Sequence, residues 1–202
     1  LGVDPRLNFF EHLAHFALGF FRNQTVAAGI TAVLRRVGDR VAHVVQPAAV
    51  HQIDDQLQLV HAFSVQLTAG RKGGGIILMS SLAGLLGMRM VAPYAATKAF
   101  AWNLAEAIHH ELKPYGIDVM ACIAGATATP AYLGTKPRYG RIRPTVMKPE
   151  DVAEAALKKL GRKTLFIPGF MNRFNYFILT RILPRSLASR LANNTMKQMY
   201  GE

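Results

Sequence analysis

One pattern limits the folds open to this chain more than any other: apolar segments too continuous to lie on a wetted surface. Ile76-Ile77-Leu78-Met79 is apolar without a break, and Ile117 to Ile123 is interrupted only by Asp118. A strand with one face in water alternates polar and apolar side chains, whereas an unbroken run needs cover on both faces. The surrounding sequence supplies that cover. Leu57, Val60 and Leu67, with Phe63 or Ser64 between, mark one apolar stripe of a helix, which Gly70-Arg71-Lys72-Gly73-Gly74-Gly75 ends. Pro93 opens a long helix that reaches about Lys113, where Pro114 and Gly116 stop it. Pro149-Glu150-Asp151 starts a third helix, with acids at its positive end, running to near Gly161. Thr164-Leu165-Phe166-Ile167-Pro168 reads as a third short strand. The alternation predicts an α/β fold: a doubly wound parallel sheet joined by right-handed crossovers.

This regularity begins at about Gln52. Residues 1–51 form an unmatched N-terminal segment; the first of nine lysines is Lys72, whereas four of the seven histidines (His12, His15, His43 and His51) precede Gln52. Asn8 to Arg22 has the spacing of an amphipathic helix, and Thr25 to Val45 is a Val/Ala/Arg stretch of ambiguous period. A displaced reading frame or a replacement segment would each produce such a seam. His12 and His15 stand at i,i+3 without an evident third ligand, and His109-His110 point different ways on a helix, so no metal site is expected. With 202 residues, 50% of them hydrophobic and 18% charged, the chain can bury one sizeable core. A lone cysteine, Cys122, excludes an intramolecular disulfide and a multi-cysteine zinc site, and it suits a reducing, cytoplasmic setting. No apolar run has the length of a membrane span; Phe9 to Phe21 is broken by Glu11, His12 and His15 and lacks a basic flank, so a secretory leader is not expected.

The chemistry-bearing residues cluster where the predicted strands end. Ser80-Ser81 closes the first buried run, and Tyr94-Ala95-Ala96-Thr97-Lys98 opens the long helix, with Tyr94 and Lys98 at i,i+4 on one face. A free tyrosine is only about 0.1% phenolate at pH 7. A lysine ammonium one turn away favours the phenolate and makes such a tyrosine a usable general acid or base. A serine hydroxyl at a strand's C-terminal end can donate to a carbonyl oxygen as negative charge develops. In open α/β sheets that end is where ligands bind. Proton donor, tuner and polariser together suit carbonyl reduction or alcohol oxidation by hydride transfer.

Gly74-Gly75-Ile76-Ile77-Leu78-Met79-Ser80-Ser81-Leu82-Ala83-Gly84, then Tyr94-Ala95-Ala96-Thr97-Lys98 thirteen residues after Ser81, resembles the short-chain dehydrogenase/reductase family. Ala124-Gly125-Ala126-Thr127-Ala128-Thr129 is similar to that family's Pro-Gly-x-x-x-Thr segment, with Ala124 in place of the proline. The resemblance covers about residues 52–202 and implies the C-terminal part of a Rossmann-like domain. It implies NAD or NADP as cofactor and a small carbonyl or secondary alcohol as substrate. Tyr94 would be the proton donor/acceptor and Ser81 the carbonyl polariser. Lys98 would favour the tyrosinate and, with Tyr94, hold the nicotinamide ribose. Ala124, Gly125, Thr127 and Thr129 would line the cofactor, Thr129 at the carboxamide. A homodimer or tetramer through the helices near 54–69 and 95–113 is implied as well. The family's TGxxxGxG turn occurs nowhere in the sequence, and its helix asparagine aligns at about Ile53.

The net charge of +12 is uneven: Ala131 to Glu202 holds 14 basic and 4 acidic residues, so +10 of it lies there. No zinc finger, RNP motif or aromatic-interleaved basic strip accompanies it, and nucleic acid is not the expected partner. Between Thr129 and Lys148, Tyr132 and Tyr139 stand where the family carries its variable substrate loop. Phe170, Phe174, Phe177, Ile178, Ile182 and Leu183 alternate with Arg173, Arg181, Arg185 and Arg190. The apolar side of that stretch either covers the sheet edge or substrate pocket, with arginines in water, or lies on a membrane surface. Three functions follow: an NAD(P)-dependent oxidoreductase, a non-catalytic derivative serving as a binding or dimerisation module, and a peripheral membrane protein.

Overall fold

The computed structural model describes residues 31–37, 40–46, 52–70, 73–139 and 143–201. Five strands, β1 (Thr31–Val37), β2 (Arg40–Gln46), β3 (Gly74–Ser81), β4 (Ile117–Ala124) and β5 (Leu165–Phe166), lie side by side in that order. β1 runs antiparallel to β2, and β2 to β5 are parallel. The ambiguous Thr25 to Val45 stretch thus supplies an antiparallel pair whose second strand docks on β3, Ala42 opposite Gly75. The sheet therefore contains chain from both sides of residue 51. The expected helix from Asn8 to Arg22, with His12 and His15, lies outside the described residues.

The expected helices form as α1 (Gln52–Gly70), α2 (Ala92–Leu112) and α4 (Pro149–Leu157, ending short of Gly161), and the structure adds α3 (Pro130–Gly134), α5 (Phe170–Phe177) and α6 (Arg185–Tyr200). Strand residues alternate between two covered faces. Ile76, Leu78, Val119 and Ala121 pack under Val60 and Leu67 of α1 and Ala105, Ile108 and Leu112 of α2. Ile77, Met120 and Cys122 pack under Val152 and Ala156 of α4. Both faces are dry, which is why the strands read as unbroken apolar runs.

That arrangement corrects the expectation of uniformly right-handed crossovers. β3–α2–β4 and β4–α4–β5 advance the same way across the sheet, yet α2 and α4 cover opposite faces. The two crossovers therefore have opposite hands. The right-handed rule rests on a helix packing straight back over its own strand. Here the long segment between β4 and α4 carries the chain round the sheet's C-terminal edge before the helix forms, so the rule loses its grip.

A third apolar cluster joins the C-terminal helices to the turn after β3: Ala188 and Ala192 of α6 pack on Leu85 and Leu86, with Trp102, Tyr176, Leu179 and Leu183 around them. Asn193 clamps this contact, accepting from Arg89 N at 2.7 Å and donating to Gly87 O at 3.0 Å. Among the described residues no helix is long and apolar enough to cross a membrane.

Cys122 sits in the middle of β4, fully covered, and burial pushes its thiol up to about 12. Because the thiolate is the reactive form, native protein at pH 8 is expected to resist iodoacetamide for hours and to take up one equivalent on unfolding. Intact-mass spectrometry checks this; alkylation within minutes would mean that the centre of the sheet opens.

Candidate active site

β3 and β4 end level with each other, Ser81 opposite Ala124, and the sequence-predicted residues gather along this edge. Ser81 is half-buried; its Oγ accepts from Ala83 N at 3.2 Å and so caps the 3-10 turn Leu82–Leu85. Its position is therefore fixed by the local turn as well as by the strand.

α2 brings Tyr94 and Lys98 to the same region. Lys98 is 5% exposed although charged, and its Nζ lies 5.4 Å from the centroid of the Tyr94 ring, a cation–π contact. Tyr94 itself is exposed, and its hydroxyl has no hydrogen-bond partner among the described residues. The i,i+4 spacing thus gives one buried ammonium beneath one open phenol.

Three ties hold α2 to the end of β3, and none of them was read from the sequence. The Lys98 ammonium donates to Met79 O at 3.3 Å, while the Lys98 carbonyl accepts from Ser80 Oγ at 2.7 Å. Ser80 is buried, so this bond is sheltered from water. Gly84 supplies the third: a Cβ there would stand 2.7 Å from Ala99 N and 2.8 Å from the Lys98 carbonyl carbon. Only a residue without a side chain lets the turn after Ser81 lie against the backbone of α2. The Ser80 pairing had a signal in the doubled serine; Gly84 was visible in the motif but without a role.

Burial lowers the Lys98 ammonium below its ordinary value of 10.5. Between the folded value and 10.5 the unfolded chain holds more protons than the native one, so stability rises with pH in that window. Below it, the native state carries the whole cost of a buried charge. Lys98→Met is therefore expected to match or exceed the parent's melting temperature at pH 7 and to lose this alkaline rise. A scan of Tm from pH 7 to 10.5 checks it, and a variant several degrees less stable at pH 7 would show that the ammonium holds the fold together.

After β4 the chain passes the remaining predicted residues. A Cβ on Gly125 would fall within 2.6 Å of Asn172 Cγ, so the buried Asn172 amide lies directly on the Gly125 backbone. Asn172 Nδ2 donates to Pro168 O at 2.9 Å. This residue, from α5, carried no sequence signal. Thr127 Oγ1 donates to Gly125 O at 3.1 Å, and Thr129 Oγ1 accepts from Tyr132 N at 3.2 Å as the N-cap of α3. A parallel bridge between Thr127 and Met147 closes the base of the loop that follows. On that loop the hydroxyls of Tyr132 and Tyr139 meet at 2.8 Å, and burial with this bond raises the Tyr132 phenol above its ordinary range. The end of α6 fastens the same loop, with Tyr200 Oη 3.3 Å from Thr135 Oγ1 and Arg138 N donating to Met199 O at 3.0 Å.

Away from this edge, His109 Nδ1 donates to Val119 O at 3.0 Å, which commits that histidine to the sheet. No cluster of three potential metal ligands occurs among the described residues.

Residues 53–137 match the family model for short chain dehydrogenases. The 7beta-hydroxysteroid dehydrogenase of Clostridium sardiniense is 35% identical over 103 residues, which is 51% of this chain and 40% of that protein. A solved structure of 7beta-hydroxysteroid dehydrogenase superposes with a TM-score of 0.61 at 25% identity, covering 70% of this chain and 55% of the other. A short-chain dehydrogenase from Sphingobium yanoikuyae, solved with NADPH, gives a TM-score of 0.50 at 26% identity over 68% of this chain and 53% of its own. The chain spans 40% of the first of these proteins. Over this segment it resembles the short-chain dehydrogenases in sequence and in fold.

Proposed function

We propose that the chain is an NAD(P)-dependent oxidoreductase that moves hydride between a nicotinamide and a carbonyl or secondary alcohol. The observation carrying this reading is the open Tyr94 phenol over the buried Lys98 ammonium, on a helix tied to the strand that ends in Ser81. The residues present fit the nicotinamide-ribose half of such a cofactor. Lys98 has one carbonyl acceptor at 3.3 Å, which leaves further N–H donors for ribose hydroxyls. Ala124 closes β4 opposite Ser81, and Gly125, Thr127 and Thr129 follow it in the segment leaving this edge, with the Asn172 amide packed on Gly125. When bound, the nicotinamide supplies or accepts the hydride at the substrate carbon.

In the reductive direction, Ser81 Oγ, whose lone pair already takes Ala83 N–H, turns its own proton toward the carbonyl oxygen and polarises it. Tyr94 gives its phenolic proton to that oxygen as charge builds there. The Lys98 ammonium beneath the ring stabilises the tyrosinate that remains. The reverse sequence oxidises the alcohol. The loop carrying Tyr132 and Tyr139 is the natural wall of the substrate pocket. A hydroxysteroid, the substrate class in the name of the C. sardiniense relative, is a secondary alcohol and a reasonable first choice. Self-association through α1 and α2 and a cytoplasmic setting belong to the same proposal.

Fluorescence titration with NADPH and NADH tests it, followed by turnover on ketones that include oxosteroids. A Kd in the micromolar range for one nucleotide is expected. Absence of binding up to about 1 mM, the upper end of ordinary Michaelis constants, would make the Ser81, Tyr94 and Lys98 arrangement a non-catalytic remnant.

A further inference from the structure

Residues 155–201 contain nine lysines and arginines and no aspartate or glutamate. All nine are exposed. Lys158 pairs with Glu154 at 2.6 Å, just outside the stretch. α5 lies within this cationic region and is two-sided. Asn172 and Tyr176, followed by Leu179, turn toward the body of the protein. Phe170, Phe174 and Phe177, at i, i+4 and i+7, fall on the opposite side and are 71%, 49% and 51% exposed. Met171 and Ile182 are open as well, at 48% and 57%. Of the apolar side expected to cover the sheet edge or the substrate pocket, Leu183 packs on the cluster around Leu85, whereas Phe170, Phe174, Phe177 and Ile182 stay open.

We propose that this surface docks on an anionic phospholipid bilayer, α5 lying in the interface with its phenylalanines among the acyl chains. Arg173, Arg181, Arg185 and Arg190 would meet the headgroups. Each half of the surface argues for that occupant. A row of exposed phenylalanines with neighbouring aliphatic side chains matches the apolar face of an interfacial helix. A stretch whose charged residues are all cationic matches a negative surface potential. A second copy of the chain is disfavoured, because a two-fold contact would set one cationic surface against the other. Nucleic acid would use the cations but leaves the aliphatic part of the patch without a role.

Co-sedimentation with phosphatidylcholine vesicles, with and without 30% phosphatidylserine (about the proportion needed for a strong surface charge), tests the proposal on the full 202-residue chain. It needs no nucleotide, so its result is independent of the oxidoreductase reading. Partitioning onto the anionic vesicles is expected to exceed that onto neutral ones at least tenfold and to weaken with salt. The Phe170→Ser/Phe174→Ser/Phe177→Ser variant, whose three side chains are about half exposed or more, is expected to lose binding at least tenfold with unchanged circular dichroism. Each arginine changed to glutamine is expected to lower it about fivefold. Equal binding to neutral vesicles, or none to either, would overturn the proposal. So would a dimer in analytical ultracentrifugation that the triple variant dissolves, or gel-shift binding to RNA or DNA that outcompetes the vesicles.

Discussion

Tyr94→Phe is expected to reduce turnover about a thousandfold, within the range that positioned acid–base groups contribute, while leaving nucleotide affinity within about threefold of the parent. The fold should not notice. Tyr94 is 41% exposed and its hydroxyl has no partner among the described residues, so deleting one oxygen leaves no buried donor or acceptor orphaned. The ring, and with it the cation–π contact to Lys98 at 5.4 Å, is retained. A Tm shift below about 1 °C, typical of a neutral surface change, together with collapse of kcat separates chemistry from structure. Steady-state kinetics beside a melting curve decide the matter. If kcat stays within tenfold of the parent, Tyr94 is not the proton donor, and a water or another side chain must be.

The parts of this molecule that could be read from sequence are those where one local rule was enough. Ile76 to Met79 and Ile117 to Ile123 announced strands covered on both faces because no alternation relieved them, and Pro93, Pro114 and Gly116 bounded α2 to within a residue or two. The i,i+4 spacing alone put Lys98 beneath Tyr94. What was hidden depends on contacts between distant segments. The Val/Ala/Arg composition of Thr25 to Val45 suits helix or strand equally, and only pairing with β3 resolves it. No periodicity tells on which face α4 will land, since the loop ahead of it sets that. Asn172 meets Gly125 from 47 positions away along the chain. The arginine-rich C-terminal stretch was legible as amphipathic, but which side packs inward follows from Tyr176 and Leu179 finding the cluster around Leu85.

Gly84 is where such a distant contact can be tested most sharply. A methyl group there would stand 2.7 Å from Ala99 N and 2.8 Å from the Lys98 carbonyl carbon, both in the backbone of α2, and neither can swing aside as a side chain tip would. The turn after Ser81 must lift away from the helix, or the helix must shift. Overpacking of this kind costs about 1–3 kcal/mol, which corresponds to a Tm lowered by roughly 3–10 °C in a protein of this size. The same displacement pulls Ser81 from Tyr94 and strains the Ser80 bond to Lys98, and misplacement by about 1 Å can cost a hundredfold in rate. Gly84→Ala should therefore lose stability and turnover together, unlike Tyr94→Phe. Gly87→Ala is the matched control, because a Cβ there meets nothing within 4 Å. It should leave both quantities unchanged within error. If Gly84→Ala behaves like the control, the turn does not press on α2, and the positions of Ser81 and Lys98 are set by the strand and helix alone.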